Sequence, residues 1–468
     1  MNVFAHWFSL QLVQEGGTLQ SRFYRSPTNW LMVAGIILLT VNSARIVFRS
    51  IYSESVFVDQ WFYTSIHYNV ILSLTPAGAP ITGIDPSAGA SGFIGSGLGA
   101  AVFILGGDLL HSRITTAALN TLLATFIGVG LLRRWSFQLV PAVFGSTLIW
   151  GLSVTTPFAL PYWHGFIFNL GELPGALLLG LGLLACARRP HLAAFCWGLV
   201  AWHTKPVFFP VPVLLVLVSG WSIAAPFRVK LLRLAGILSM FLLPLVIWLF
   251  FVSARFGLAE AAQQLGLFGG FIGLYSGHLQ EMQPLYQLRS IGNPLSVAHL
   301  ISRLQDPHLE WSQTYYSLGT KLKVIALSLG SVAVTLFGLY KQRPADRRPF
   351  TTLASLALLL MVLAYTYGWF MLHPNMWMRH FTPALYIGLG LWIFWLLQIS
   401  LRFALFERPI FRWGAIAFAA TFIVWQAYFS WGISTRISDF PAQWRCPITY
   451  FVSADGSDFP ASLVCKQN

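Results

Sequence analysis

Apolar residues in this chain come in long runs separated by short polar breaks. A hydrocarbon core of roughly 30 Å takes about 20 apolar residues per crossing helix. Runs at 30–48, 114–132, 137–157, 166–187, 191–205, 207–225, 232–253, 324–340, 351–371, 382–401 and 413–433 meet or nearly meet that length. The stretch 191–225 is broken by His203-Thr204-Lys205-Pro206, which predicts two helices joined by a tight turn. Residues 92–110 are apolar but carry Gly92, Gly95, Gly97, Gly99, Gly106 and Gly107; they predict a helix in or dipping into one leaflet, with a full crossing left open. The expected fold class is an all-α polytopic membrane protein of about 11–12 transmembrane helices with amphipathic helices in its outer loops.

The basic residues orient these runs. Arg22 and Arg25, Arg133-Arg134, Arg188-Arg189, Arg228, Lys230 and Arg233, the stretch 341–348, and Arg402, Arg408 and Arg412 fall in alternate, short breaks. Their density is about four-fold that of the opposite loops, so the positive-inside rule places them in the cytoplasm. The resulting organisation is a cytoplasmic N-terminus (1–29), an N-terminal transmembrane module (30–253) that includes a first outer loop (49–113), a large outer, periplasmic loop (254–323), a C-terminal transmembrane module (324–433) and an outer tail (434–468). The first 29 residues are too polar for a cleavable signal peptide, so the first apolar run is expected to be a permanent span. Within the large loop, Asn293-Pro294 followed by Leu295, Leu300, Ile301 and Leu304 reads as a cap, a first-turn proline and an amphipathic helix.

Composition agrees. Only 9% of the residues are charged and 56% are hydrophobic, against about 25% charged in soluble domains, which excludes a soluble enzyme and a disordered chain. The net charge of +14 does not indicate a nucleic-acid partner, because the basic residues cluster between apolar runs instead of lining one solvated face. The expected surroundings are membrane lipids. Four cysteines make no framework: Cys186 and Cys196 read as buried thiols, while Cys446 and Cys465 in the tail could close one disulfide loop in an oxidising compartment.

Of 15 carboxylates, 11 lie in the outer loops, so any chemistry is expected on that face. Asp59 follows the first span beside Trp61, Phe62 and Tyr63. An acid partly desolvated against such an aromatic shelf suits general-base service near neutral pH; the alternative is a cap on a short interfacial helix. Glu172, before Leu173-Pro174, sits just inside a span, where a carboxylate is unfavourable unless paired or wet, or where it caps a helix start. Lys205, with His203, lies in an outer turn against the charge bias; it can hold a phosphate or snorkel to headgroups. The segment from Trp369 to His380 brings His373, Arg379 and His380 into one short outer turn with Trp377. Arg379 can grip a phosphate through two hydrogen bonds, and the aromatics can stack on a sugar. His373 and His380 have no carboxylate or Cys at ligand spacing, so no metal and no cofactor is expected. No phosphate-binding glycine loop, dinucleotide fingerprint, zinc-protease motif or serine elbow occurs.

Three stretches together resemble one family. They are Val58-Asp59-Gln60-Trp61-Phe62-Tyr63 with the loop through Pro80, Asp85 and Pro86; Gly171-Glu172-Leu173-Pro174-Gly175 leading to Gly198 through Pro206; and Trp377-Met378-Arg379-His380-Phe381-Thr382-Pro383. This arrangement resembles the GT-C superfamily of integral-membrane glycosyltransferases, whose members transfer a sugar from a polyprenyl-phosphate carrier on the outer face. The resemblance implies a GT-C-like fold in the inner (plasma) membrane. Its partners would be a polyprenyl-phosphate-linked sugar and a glycan or lipid acceptor. Asp59 would be the general base and Glu172 a second catalytic carboxylate. Lys205 and Arg379 would bind the donor phosphate, with His203, His373, His380, Trp61 and Asp85 on the substrate. Gln60 stands where metal-dependent relatives often carry a second acid, and the tail is short for a large outer domain. A ligase or polymerase of lipid-linked glycans and a non-enzymatic lipid or sugar transporter are the alternatives. A transporter would be expected to show broken helices and charges at the bilayer midplane.

Overall fold

The computed structural model describes residues 172–204, 208–222, 225–259, 318–342, 349–368, 378–405 and 408–436, with single positions between 34 and 127 and at 297, 298, 301 and 304. Among the described residues every regular element is a helix: α1 (Glu172–Cys186), α2 (Pro190–His203), α3 (Pro210–Trp221), α4 (Phe227–Phe256), α5 (Leu318–Lys341), α6 (Pro349–Tyr367), α7 (Met378–Arg402) and α8 (Pro409–Arg436). Prolines open α2, α3, α6 and α8, where the missing N–H has no intrahelical partner to lose. Gly257 ends α4 with a φ of 97°, a left-handed conformation that only glycine adopts without strain.

Three of these helices are long and apolar enough to cross a membrane: Phe227–Ala254 in α4, Lys321–Lys341 in α5 and Pro349–Tyr367 in α6. The expected pair in 191–225 is present as two helices, but they are short, with 14 residues in α2 and 12 in α3. At 1.5 Å per residue they reach about 21 and 18 Å, less than a full hydrocarbon core. Polar and proline-bearing breaks at both ends account for this: Arg188-Arg189-Pro190 before α2, Thr204 to Pro206 after it, and the turn before Phe227 after α3. By contrast α4 and α5 run beyond the expected 232–253 and 324–340.

Side-chain contacts set the helix directions. Gly175 meets Thr204 and Gly182 meets Trp197, so α1 and α2 are antiparallel. Gly198 meets Phe241 and Gly236 meets His191, so α2 and α4 are parallel. On the other half, Gly330 meets Trp392 and Gly338 meets Trp395, so α5 and α7 are parallel, while Ser328 on α5 meets Thr366 near the end of α6, so these two are antiparallel. The halves join through α3 against α6 and α1 against α7. Within each half the short connections therefore share one end, α1–α2 with α3–α4 and α5–α6 with α7–α8, and this basic end of each half is called the lower. Arg188, Arg189, Arg228, Lys230, Lys341, Arg402, Arg408 and Arg412 all lie there. The upper end carries the starts of α1, α3, α5 and α7.

One apolar core runs through α1 to α7 and takes in Leu123 and Ile127 from the run at 114–132. Its recurring device is an indole seated on a glycine. A Cβ at Gly182, Gly330 or Gly338 would lie 2.0–2.2 Å from an atom of Trp197, Trp392 or Trp395 respectively, so each large flat side chain can enter only where the facing helix has no side chain. α8 makes no extensive contact with another described helix, and Ile410, Trp413, Phe418, Val424 and Tyr428 on it are exposed.

The α2–α4 contact has a polar core of its own. Pro244 lies inside α4; its ring removes one helical N–H and pushes against the preceding turn, which opens backbone carbonyls to outside donors. Two side chains of α2 reach backbone carbonyls on this stretch of α4. Trp202 Nε1 donates to the Phe241 carbonyl at 3.0 Å, and His203 Nε2 lies 3.1 Å from the Pro244 carbonyl, which can only accept. Trp202→Phe keeps the ring and deletes its donor, and is expected to lower stability by about 1 kcal/mol, measurable as a lower unfolding midpoint in detergent.

Candidate functional site

The upper end gathers several of the residues singled out by sequence. α1 begins at Glu172 with Pro174 in its first turn. One turn on, Gly175 leaves room for the α2–α3 corner: a Cβ there would lie 3.1 Å from Thr204 Oγ1 and 3.2 Å from the Phe208 ring. The start of α1 and the end of α2 are thus neighbours, and Glu172 and His203 belong to the same end of the bundle. Thr204 is fully buried and its hydroxyl donates to the Val200 carbonyl, turning the chain out of α2.

His203 is also buried. Its ring N–H is given to the Pro244 carbonyl and its edge packs on Trp248, with centroids 5.8 Å apart. A side chain expected on the substrate is therefore held against α4. Beyond Trp248, α4 continues to Phe256, about two further turns or roughly 12 Å, so α4 extends past the level of His203 and Thr204.

The start of α7 brings Arg379 and His380 into its first turn, followed by the buried Phe381. The start of α5, parallel to α7 and packed against it, brings Lys321, which is 1% exposed. Lys321 Nζ donates to the Leu304 carbonyl at 3.4 Å, tying Leu304 to the start of α5. Neither helix has an acid in its first turn. Helix N-termini carry partial positive charge, so the adjacent starts of α5 and α7, with Lys321 in the first turn of α5, favour negative charge at this end of the pair.

Sequence reasoning misses Lys321 because the expected outer loop extends to residue 323. The available signal was helical spacing: Lys321 shares a face with Val324, Ser328 and Ser331, whereas Lys323 falls on the exposed side. For Glu172, Arg379 and His380 the described features are their places in α1 and α7. Asp59, Trp61, Asp85, Lys205, His373, Cys446 and Cys465 lie outside the described residues. Among the described residues no group of His, Cys, Asp and Glu could hold a metal ion.

No protein-family model matches the chain, and no curated protein or solved structure does so either.

Proposed function

We propose that this protein is a polytopic membrane glycosyltransferase of the GT-C type, taking a sugar from a polyprenyl-phosphate carrier and passing it to a glycan or lipid acceptor. In this reading the basic lower end faces the cytoplasm and the upper end the outer (periplasmic) side of the inner membrane. Asp59 deprotonates the acceptor hydroxyl, and Glu172 orients sugar or acceptor beside the oxocarbenium-like transition state. Lys205 and Arg379 hold the departing lipid phosphate, whose charge must be met by cations already in place.

The observation that supports the reading is the adjacent starts of α5 and α7, two helix N-termini with no acid in their first turns and with Lys321 and Arg379 in the sequence there. Lys205→Ala and Arg379→Ala should each weaken carrier binding by about 10- to 100-fold, the worth of one hydrogen bond to a charged group. Titration with a polyprenyl phosphate checks this, and unchanged affinity in both variants removes their phosphate role. Mass spectrometry of lipids co-purifying with the protein tests the class: a polyprenyl phosphate supports the transferase. Its absence, together with substrate flux in liposomes, would favour a transporter.

A further inference from the structure

Along α5, the buried face bears Lys321, Ser328, Ser331 and Thr335, a polar line inside a helix that is otherwise long and apolar enough to cross a membrane. Most of its groups are accounted for. Ser328 donates to the Val324 carbonyl or shares a proton with Thr366 Oγ1 at 2.7 Å. Ser331 donates to the Leu327 carbonyl at 2.8 Å. Trp392 of α7 sends its indole N–H to that same carbonyl at 3.2 Å. Two groups break the pattern. Thr335 Oγ1 and Trp395 Nε1 are buried and have no hydrogen-bond partner among the described residues. Thr335 is 0% and Trp395 1% exposed.

The two belong to the same part of the α5–α7 contact. Trp395 lies over Gly338, and Thr335 stands one turn before Gly338 on the same face of α5. An indole N–H is a donor only, and a threonine hydroxyl can donate and accept. Neither would be expected to remain without a partner in an apolar interior, where Phe and Val would fill the same space with no polar atom to satisfy.

We propose that this seam is a binding site for one ordered water, which accepts the N–H of Trp395 and is hydrogen-bonded to the hydroxyl of Thr335. Helix carbonyls of the adjoining turn keep a second lone pair and can complete its coordination. The site is independent of the proposed transfer reaction and lies toward the lower end, away from Glu172 and Arg379.

Ultraviolet resonance Raman spectra of the purified full chain test it, because the indole band reports the strength of the N–H hydrogen bond. The difference between wild type and Trp395→Phe isolates Trp395 from the other tryptophans. A hydrogen-bonded indole is expected, shifting toward the free position in Thr335→Val, returning in Thr335→Ser, and unchanged when lipid is stripped. A free indole in the wild type overturns the proposal. So does a bonded indole that ignores Thr335→Val, which means another partner, or one lost with the lipid, which means a lipid oxygen. Should Trp395→Phe fail to fold, the difference between wild type and Thr335→Val is read alone, and an unshifted indole band overturns the water.

Discussion

Asp59→Asn is expected to reduce sugar transfer by about three orders of magnitude, within the 10²- to 10⁴-fold range that a positioned general base contributes. The amide keeps the size and much of the hydrogen bonding of the carboxylate but cannot take the acceptor's proton as it attacks the anomeric carbon. In the proposed mechanism the donor binds through its phosphate and prenyl chain, so carrier affinity should be unchanged. The sugar-charged carrier should then accumulate on the purified mutant, where mass spectrometry would also identify the sugar. Normal transfer by a well-folded Asp59→Asn protein would remove the mechanism while leaving the helical architecture untouched.

Gly198→Ala is expected to produce the largest loss of stability of any single methyl addition in the described helices. The added Cβ would stand 2.2 Å from the Phe241 carbonyl oxygen. The obstacle is backbone, so α2 and α4 must separate. Separation strains the packing and stretches the hydrogen bonds from Trp202 and His203 to the carbonyls around Pro244. Overpacking and two weakened bonds together amount to about 3 kcal/mol. Gly390→Ala is the control: a Cβ there meets nothing within 4 Å, and alanine's helix propensity makes it neutral or stabilising by up to about 1 kcal/mol. Denaturant titrations of the two variants in the same detergent decide the point, and equal midpoints would refute the close α2–α4 contact. The end of α2 at Thr204 hangs on that contact, so under the proposed function Gly198→Ala should also lower transfer, whereas Gly390→Ala should not.

The places where sequence and structure part company have physical causes. Hydropathy counts apolar residues without asking where a helix stops, so 191–205 and 207–225 look like spans although α2 and α3 end early at proline and polar breaks. Lys321 looked like loop because a single lysine lowers hydropathy whichever way it faces, and only packing turns it inward under Leu304. His203 was legible as an unusual residue in an apolar setting. That its ring would meet the carbonyl of a proline 41 residues away is a consequence of α2 and α4 lying parallel, which nothing local encodes.

The sequence by itself determined the helical character of the described segments, because apolar runs bounded by Arg, Pro and Gly leave the backbone few other ways to satisfy its hydrogen bonds away from water. It also determined which breaks are basic, and hence that the two ends of the bundle differ in charge. Tertiary structure alone decided which of the small and polar positions meet: Gly182 under Trp197, Gly338 under Trp395, Trp202 and His203 on the Phe241 and Pro244 carbonyls of α4, Lys321 on the Leu304 carbonyl. Those pairings depend on helix direction and register. These are properties of contacts between segments far apart in the chain, and a hydrophobic pattern read one run at a time is the same for many of them.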